Sequence, residues 1–194
     1  MGIPGEALNV DLNDFMNELY TLIQSLCLAP ELDAASTSTS TSTPTRPPRR
    51  SAASHPRATT TVTAPPSATE ATSTGDLLFR ALNLAFAPRA AVPPWRAAAF
   101  AKRLLTAALH WSGADALRAL DWVTKLMARE PRLEALLSTE DRTVDGVYRP
   151  DVEDPQLSNP FATSAYELHL LQTAHIDVRV RDAAANLANY VRTS

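Results

Sequence analysis

The 194-residue sequence predicts an all-α fold, an α-solenoid-like (ARM/HEAT-type) stack of helical hairpins interrupted by a long disordered insertion. Three observations lead there. Apolar residues recur at three- and four-residue spacing in segment after segment. Short breaks marked by Pro or Gly separate those segments. No stretch alternates apolar and polar residues as a half-buried strand does; RTVDGVY (142–148) comes nearest and is too short and interrupted. Paired amphipathic helices with tight breaks are the units of solenoids, although the pairs here show no strict self-similarity.

The first predicted helix runs from Asp11 to Leu28, within a segment (8–30) expected to dock on the later helices. Leu12, Phe15, Met16, Leu19, Leu22, Ile23 and Leu26 form its apolar stripe. Asp11 reads as the N-cap, Asp14 and Glu18 lie toward the end where the helix dipole favours negative charge, and Pro30 stops the helix. A lone amphipathic helix has to bury that stripe against later helices or another chain. The single cysteine, Cys27, reads as a small apolar side chain of this helix. It excludes an internal disulfide framework and fits a reducing compartment.

Residues 34–74 are rich in Ser, Thr, Pro, Ala and Arg and contain no Leu, Ile, Phe or Trp. Such a segment cannot offset the entropy of ordering by burying apolar area, so a disordered insertion is expected. Its TRPPRRSAASHPR cluster (45–57) reads either as a phosphate-contacting or nuclear-localisation element or as a soluble linker.

The body is expected over 75–192. Thr74 reads as the cap of a helix at 75–86 with Leu78, Leu82 and Phe86 in a row. Pro93 and Pro94 open the next helix, where a missing N–H costs little. Phe100, Leu104, Ala108 and Trp111 share one of its faces, Arg96, Arg103 and His110 another, and Gly113 breaks it. A helix at 114–129 turns Leu117, Leu120, Val123 and Met127 inward and Arg118, Asp121, Lys125 and Arg129 outward. Pro131 opens a short helix through Leu137, a long loop covers 138–160, and helices at about 162–173 and 177–191 close the chain. Trp95, Trp111 and Trp122 read as core residues, since they sit on or beside helices and not along strands.

The formal net charge is -3. Arg46, Arg49, Arg50 and Arg57 against Glu70 give residues 34–75 a local +3, which leaves -6 for the rest. That balance carries no polyanion-binding signature outside the insertion. No segment has the roughly 20 apolar residues of a membrane span, and the N-terminus lacks a secretory pattern, so no membrane partner is expected. There is no His-Glu-x-x-His, no phosphate-cradling glycine loop and no nucleophile pattern, so no catalytic centre, metal or cofactor is expected.

Three ordered blocks carry a resemblance. They are ALNVDLNDFMNELYTLIQSLCLAPEL (7–32), AAFAKRLLTAALH (98–110) with ALRALDWVTKLMAREPRLEALLSTEDR (116–142), and DVEDPQLSNP (151–160) running into FATSAYELHLLQ (161–172). Their order resembles the CCAAT-binding-factor (CBF) family of nucleolar complex proteins, including its Phe-x-Lys-Arg-Leu core and its acidic-Pro turn before an aromatic-Glu helix. The chain departs from the family pattern at Tyr166, where Trp is usual, and at Ala174-His175-Ile176-Asp177, which lacks the hinge proline. The large N-terminal half of family members is missing, so the resemblance implies a fragment, a C-terminal piece or a truncated gene model. It further implies a non-enzymatic scaffold in maturation and intranuclear transport of the large ribosomal subunit precursor, located in the nucleolus of the nucleus. Its implied partners are other nucleolar complex proteins and pre-60S particles. Alternatively, the same resemblance permits a chromatin-associated factor acting with origin-licensing proteins in DNA replication initiation. Without the resemblance, the residues describe an unrelated helical adaptor.

The candidate partner-contact residues are Glu153, Asp154, Pro155, Ser158, Asn159, Tyr166, Glu167 and His175. The plain alternative for Glu153 to Asn159 is a solvated turn with Ser158 or Asn159 capping the next helix. Tyr166 and Glu167 read as an anchor with its hydroxyl at the surface and a carboxylate near a helix start. His175 reads as a locally satisfied hinge histidine; with His169 and Asp177 it lacks the further ligands of a tetrahedral metal site.

Overall fold

The computed structural model describes residues 5–29, 73–88, 91–138 and 145–190. It is all-α and solenoid-like: among the described residues there are six α-helices and three 3-10 turns, and no strand. The helices are α1 (Gly5–Ser25), α2 (Thr74–Ala85), α3 (Pro94–Ala108), α4 (Gly113–Arg129), α5 (Tyr166–Ala174) and α6 (Val178–Ala188). The 3-10 turns follow α1 (Leu26–Leu28), follow α4 (Pro131–Leu136) and precede α5 (Pro160–Ala162). The expected disordered insertion lies outside the described residues except for Ser73 and Thr74. Among the described residues no helix is long and apolar enough to cross a membrane.

Helix α3 is the hub. Every residue from Ala97 to Leu105 is buried, so this helix is enclosed on all sides instead of facing solvent along one stripe. Four alanines (Ala97, Ala98, Ala99, Ala101) let neighbouring helices approach its backbone closely, and Phe100 and Leu104 fill the space between them. Helices α1, α4 and α5 all pack on α3, while α6 pairs with α5 and lies against α4. Tyr20, Phe86, Phe100 and Trp122 form a chain of tilted and edge-on rings with centroids 4.9–5.2 Å apart. Rings in those orientations align positive edges with negative faces, which adds to the area they bury.

Several sequence expectations are corrected. Helix α1 begins at Gly5, so Asp11 lies within the helix and not at its start. Its buried stripe is Met16, Leu19, Tyr20, Ile23 and Leu26, rotated toward Tyr20; Leu12, Phe15 and Leu22 are left 43–46% exposed. Ser73, not Thr74, caps α2, accepting a hydrogen bond from the Asp76 N–H at 3.0 Å. Arg103 does not join a polar face: it is 4% exposed. Gly113 does not end α3, which stops at Ala108; it is the first residue of α4. A Cβ there would collide with the Asp177 carboxylate, so glycine permits the α4 start to meet the α6 start. Residues 163–165 are not helical, because the Ala165 N–H bonds the Leu136 carbonyl at 2.7 Å and pins the chain before α5 begins.

Trp111 and Trp122 are in the core, and Trp111 Nε1 donates to the Leu26 carbonyl at 3.0 Å, tying the end of α1 to the end of α3. Trp95 is half-buried under the Arg96 guanidinium. On the outer face of α4, Lys125 pairs with Asp121 and Arg118 with Asp76, while Arg129 donates to the Phe86 carbonyl.

Candidate functional site

Two adjacent cations on α3, Lys102 and Arg103, organise the C-terminal block. Both are buried, and an isolated buried charge is costly unless it is paired and hydrogen-bonded. The surrounding chain supplies those partners.

Lys102 Nζ lies 2.7 Å from Glu167 Oε2 in a pair with no solvent exposure on either side chain. It also donates to the Ser164 carbonyl at 2.6 Å. The Thr106 hydroxyl reaches Glu167 Oε1 at 3.2 Å and the Lys102 carbonyl at 3.0 Å. The faces of Tyr166 and Tyr148 close over the ammonium, with ring centroids 4.0 Å and 5.0 Å away, a geometry that electrostatically favours a cation. Burial pushes the Tyr148 phenol far above its ordinary range, with further upward pressure from Tyr20 and Glu167, so it stays neutral. This cluster locks α5 onto α3.

Arg103 takes the other direction. One terminal nitrogen donates to the Pro150 and Val152 carbonyls at 2.8 and 2.7 Å, and the other to the Tyr20 carbonyl at 3.1 Å. Its guanidinium lies 3.5 Å from the Tyr20 ring centroid. A planar fork with several fixed donors suits this bridging better than an ammonium would. Arg103 therefore joins α3, α1 and the 145–159 loop at one point. Desolvation pulls its pKa down from the ordinary value, opposed by Tyr20 and Tyr148.

The loop is closed on itself before it meets Arg103. Asn159 sits at φ 47°, a left-handed conformation that Asn tolerates, and its Nδ2 donates to the Asp145 carbonyl at 3.1 Å. Gly146, at φ 109°, leaves the room that this amide occupies. The Arg149 N–H bonds the Ser158 carbonyl at 2.9 Å, and the Ser158 hydroxyl donates to the Pro155 carbonyl at 2.8 Å. Asp154 accepts from the Gln156 N–H at 2.8 Å, an Asx turn that reverses the chain after Glu153.

The eight sequence candidates therefore separate. Glu153 and Tyr166 are exposed, and Asp154, Asn159 and His175 are half-buried. Pro155, Ser158 and Glu167 are buried and hold the surface from below. Neither Ser158 nor Asn159 caps the next helix: the 3-10 turn after Asn159 has no side-chain cap, and α5 starts after Ala165. Both are used instead to close the loop. Glu167 faces inward because Lys102 waits there. His175 is held locally, its Nδ1 accepting from the Asp177 N–H at 3.1 Å and its carbonyl from Arg181 at 2.9 Å. The residues that sequence reasoning missed are Lys102, Thr106 and Tyr148. The signal for Lys102 was present: with Arg103 it sits in the run AAAFAKRLL, and only small and apolar residues flank the pair on either side. Among the described residues, no group of three His, Cys, Asp or Glu side chains comes together as a metal site.

The model of the CBF/Mak21 family matches residues 4–184. Nucleolar complex-associated protein 3 of Saccharomyces cerevisiae is 28% identical over 171 residues, covering 88% of this chain and 24% of its own length. The Schizosaccharomyces pombe protein of the same name is 28% identical over 180 residues, 93% of this chain and 22% of its own. Nucleolar complex protein 3 homolog of Danio rerio is 40% identical over 92 residues, 47% of this chain and 11% of its own. The chain thus spans about a quarter or less of the length of these relatives. With nearly its whole length matched by one family model, the chain belongs to the CBF/Mak21 family.

Proposed function

We propose that this chain is a non-enzymatic nucleolar scaffold in ribosome biogenesis, acting on the large-subunit precursor together with other nucleolar complex proteins. One observation carries the reading: Lys102 and Arg103 are both spent on internal bonds that fix the loop and α5 as a rigid presenting surface. Buried cations arranged this way spend their charge on shape and leave none for a substrate, which suits a protein that holds partners in register. The printed names of its relatives, nucleolar complex proteins from yeasts to fish, support the location and the kind of partner. The exposed parts of the surface, Glu153 and Tyr166 with Leu157 between them in sequence, supply charge, an aromatic face and apolar area for protein contact.

The test is affinity purification of the tagged chain from nuclear extract, with and without nuclease. Large-subunit precursor RNA and assembly factors should co-purify, and protein partners should survive nuclease, because the chain outside residues 34–75 carries a net charge of -6. Glu153→Lys with Tyr166→Ala should reduce capture. Recovery of origin-licensing proteins without assembly factors would replace this reading with the replication one.

A further inference from the structure

Helices α1 and α2 meet at an unfilled apolar trough. Phe15, Leu19 and Leu22 of α1 and Leu26 of the turn after it line one side, and Thr74, Leu77, Leu78 and Ala81 of α2 the other, around a cavity of about 430 Å³. Along α1 and into its following turn these are positions i, i+4, i+7 and i+11, one continuous stripe. Phe15, Leu22 and Leu77 remain 43%, 46% and 54% exposed, so the packing of α1 on α3 leaves this second face unused. Leu84, further along α2 on the row of Leu77 and Ala81, is more exposed still.

The rim is as specific as the floor. On the α1 side Asp14 and Glu18 are exposed, with no Lys or Arg on that helix; on the α2 side stand Asp76, paired with Arg118, and the exposed Arg80. Glu18 lines the trough, and Asp14 lies one turn before it on the same face, exposed beside Phe15. From Phe15 to Leu26 the stripe runs about 16 Å at 1.5 Å per residue, three helical turns. Two helices side by side offer a groove whose ridges match a third helix.

We propose that this trough binds an amphipathic helix of about three turns from a partner protein, with apolar anchors on one face and Lys or Arg on the flank that lies beside α1. The carboxylates on the α1 side select the flank, and the spacing of the floor selects helical anchors at i, i+3, i+4 and i+7. The basic cluster at residues 45–57 of the chain itself has no Leu, Ile, Phe or Trp with which to fill the floor. A second copy of α1 would bring like charges together. This inference rests on the scaffold reading and specifies one partner's chemistry, on a face that the Lys102–Glu167 clamp does not form.

The test uses purified chain and two fluorescein-labelled amphipathic peptides, leucine on one face and either lysine or glutamate on the other. At low salt the lysine peptide should bind about tenfold more tightly, the effect of two surface carboxylates each contributing within the usual range for exposed pairs. Asp14→Lys with Glu18→Lys should invert the preference, and Leu77→Asp should abolish binding of either peptide while the circular dichroism spectrum stays unchanged. Equal affinity for the two peptides, or undiminished binding by Leu77→Asp, would overturn the proposal. So would a concentration-dependent dimer in sedimentation that Leu77→Asp dissolves, which would give the trough to a second copy. Because the peptides are defined, failure here is distinct from failure to recover assembly factors from extract.

Discussion

Replacing Glu167 by Ala removes the counter-charge of Lys102 and leaves the ammonium buried with the Ser164 carbonyl and two aromatic faces. Breaking one side of a buried pair typically costs about 3–5 kcal/mol, because the remaining charge is uncompensated. For a domain of this size each kcal/mol lowers Tm by about 2–4 °C, so Glu167→Ala should melt about 6–20 °C below the parent. Removing both charges is a different perturbation. In Lys102→Met with Glu167→Leu, the Thr106 hydroxyl keeps the Lys102 main-chain carbonyl at 3.0 Å, and the half-buried Ser164 carbonyl can turn to water. The double variant should therefore lie within about 1 kcal/mol of the parent or above it, as hydrophobic replacement of buried pairs often does. Urea unfolding followed at 222 nm, with all four corners of the cycle, gives the coupling directly. A Glu167→Ala variant within about 1 kcal/mol of the parent would refute the reasoning, since it would mean that Lys102 finds solvent.

Other outcomes follow from the same geometry. Arg103→Met, which strips the charge-assisted bonds to Tyr20, Pro150 and Val152, should cost about 2–3 kcal/mol and speed limited proteolysis within 145–159; cleavage at the parental rate would show that the loop holds itself. Gly113→Ala should lower the urea midpoint, although alanine is about 1 kcal/mol the better helix former, because its Cβ meets an Asp177 carboxylate held in place by the Arg179 N–H at 2.9 Å; a raised midpoint would refute the clash. Asp177 should titrate below 3.8 by carboxyl NMR, chiefly through the Arg179 side chain, and Arg179→Ala should bring it back up. Since its folded pKa is depressed, the contribution to stability is complete above the ordinary value and disappears as pH falls through the folded one. Replacing residues 34–72 with a Gly/Ser linker of equal length should leave Tm within a few degrees, given that the segment has no large apolar anchor; a large drop would show that it packs.

The periodicity of apolar residues was enough to find the six α-helices of the described residues, and proline and glycine placed most of the breaks to within a few residues. Those features are local: a helix needs a stripe, and a stripe is written at i, i+3 and i+4. The membership of the chain was legible too, in FAKRL and in the acidic-Pro turn before Tyr166 and Glu167. What the sequence did not contain was the direction in which these side chains face. Arg103 reads as a surface residue because charge normally goes to water, and it is buried because three carbonyls from distant segments converge on it. Glu167 reads as a helix-start carboxylate and becomes the partner of a lysine 65 residues earlier. The α1 stripe turned toward Tyr20 for the same reason, since α3 offers it Phe100 and the guanidinium of Arg103. Periodicity fixes which residues share a helix face. Only the convergence of helices decides which face is enclosed, because burying a charge is tolerable only where partners from elsewhere in the chain arrive to meet it.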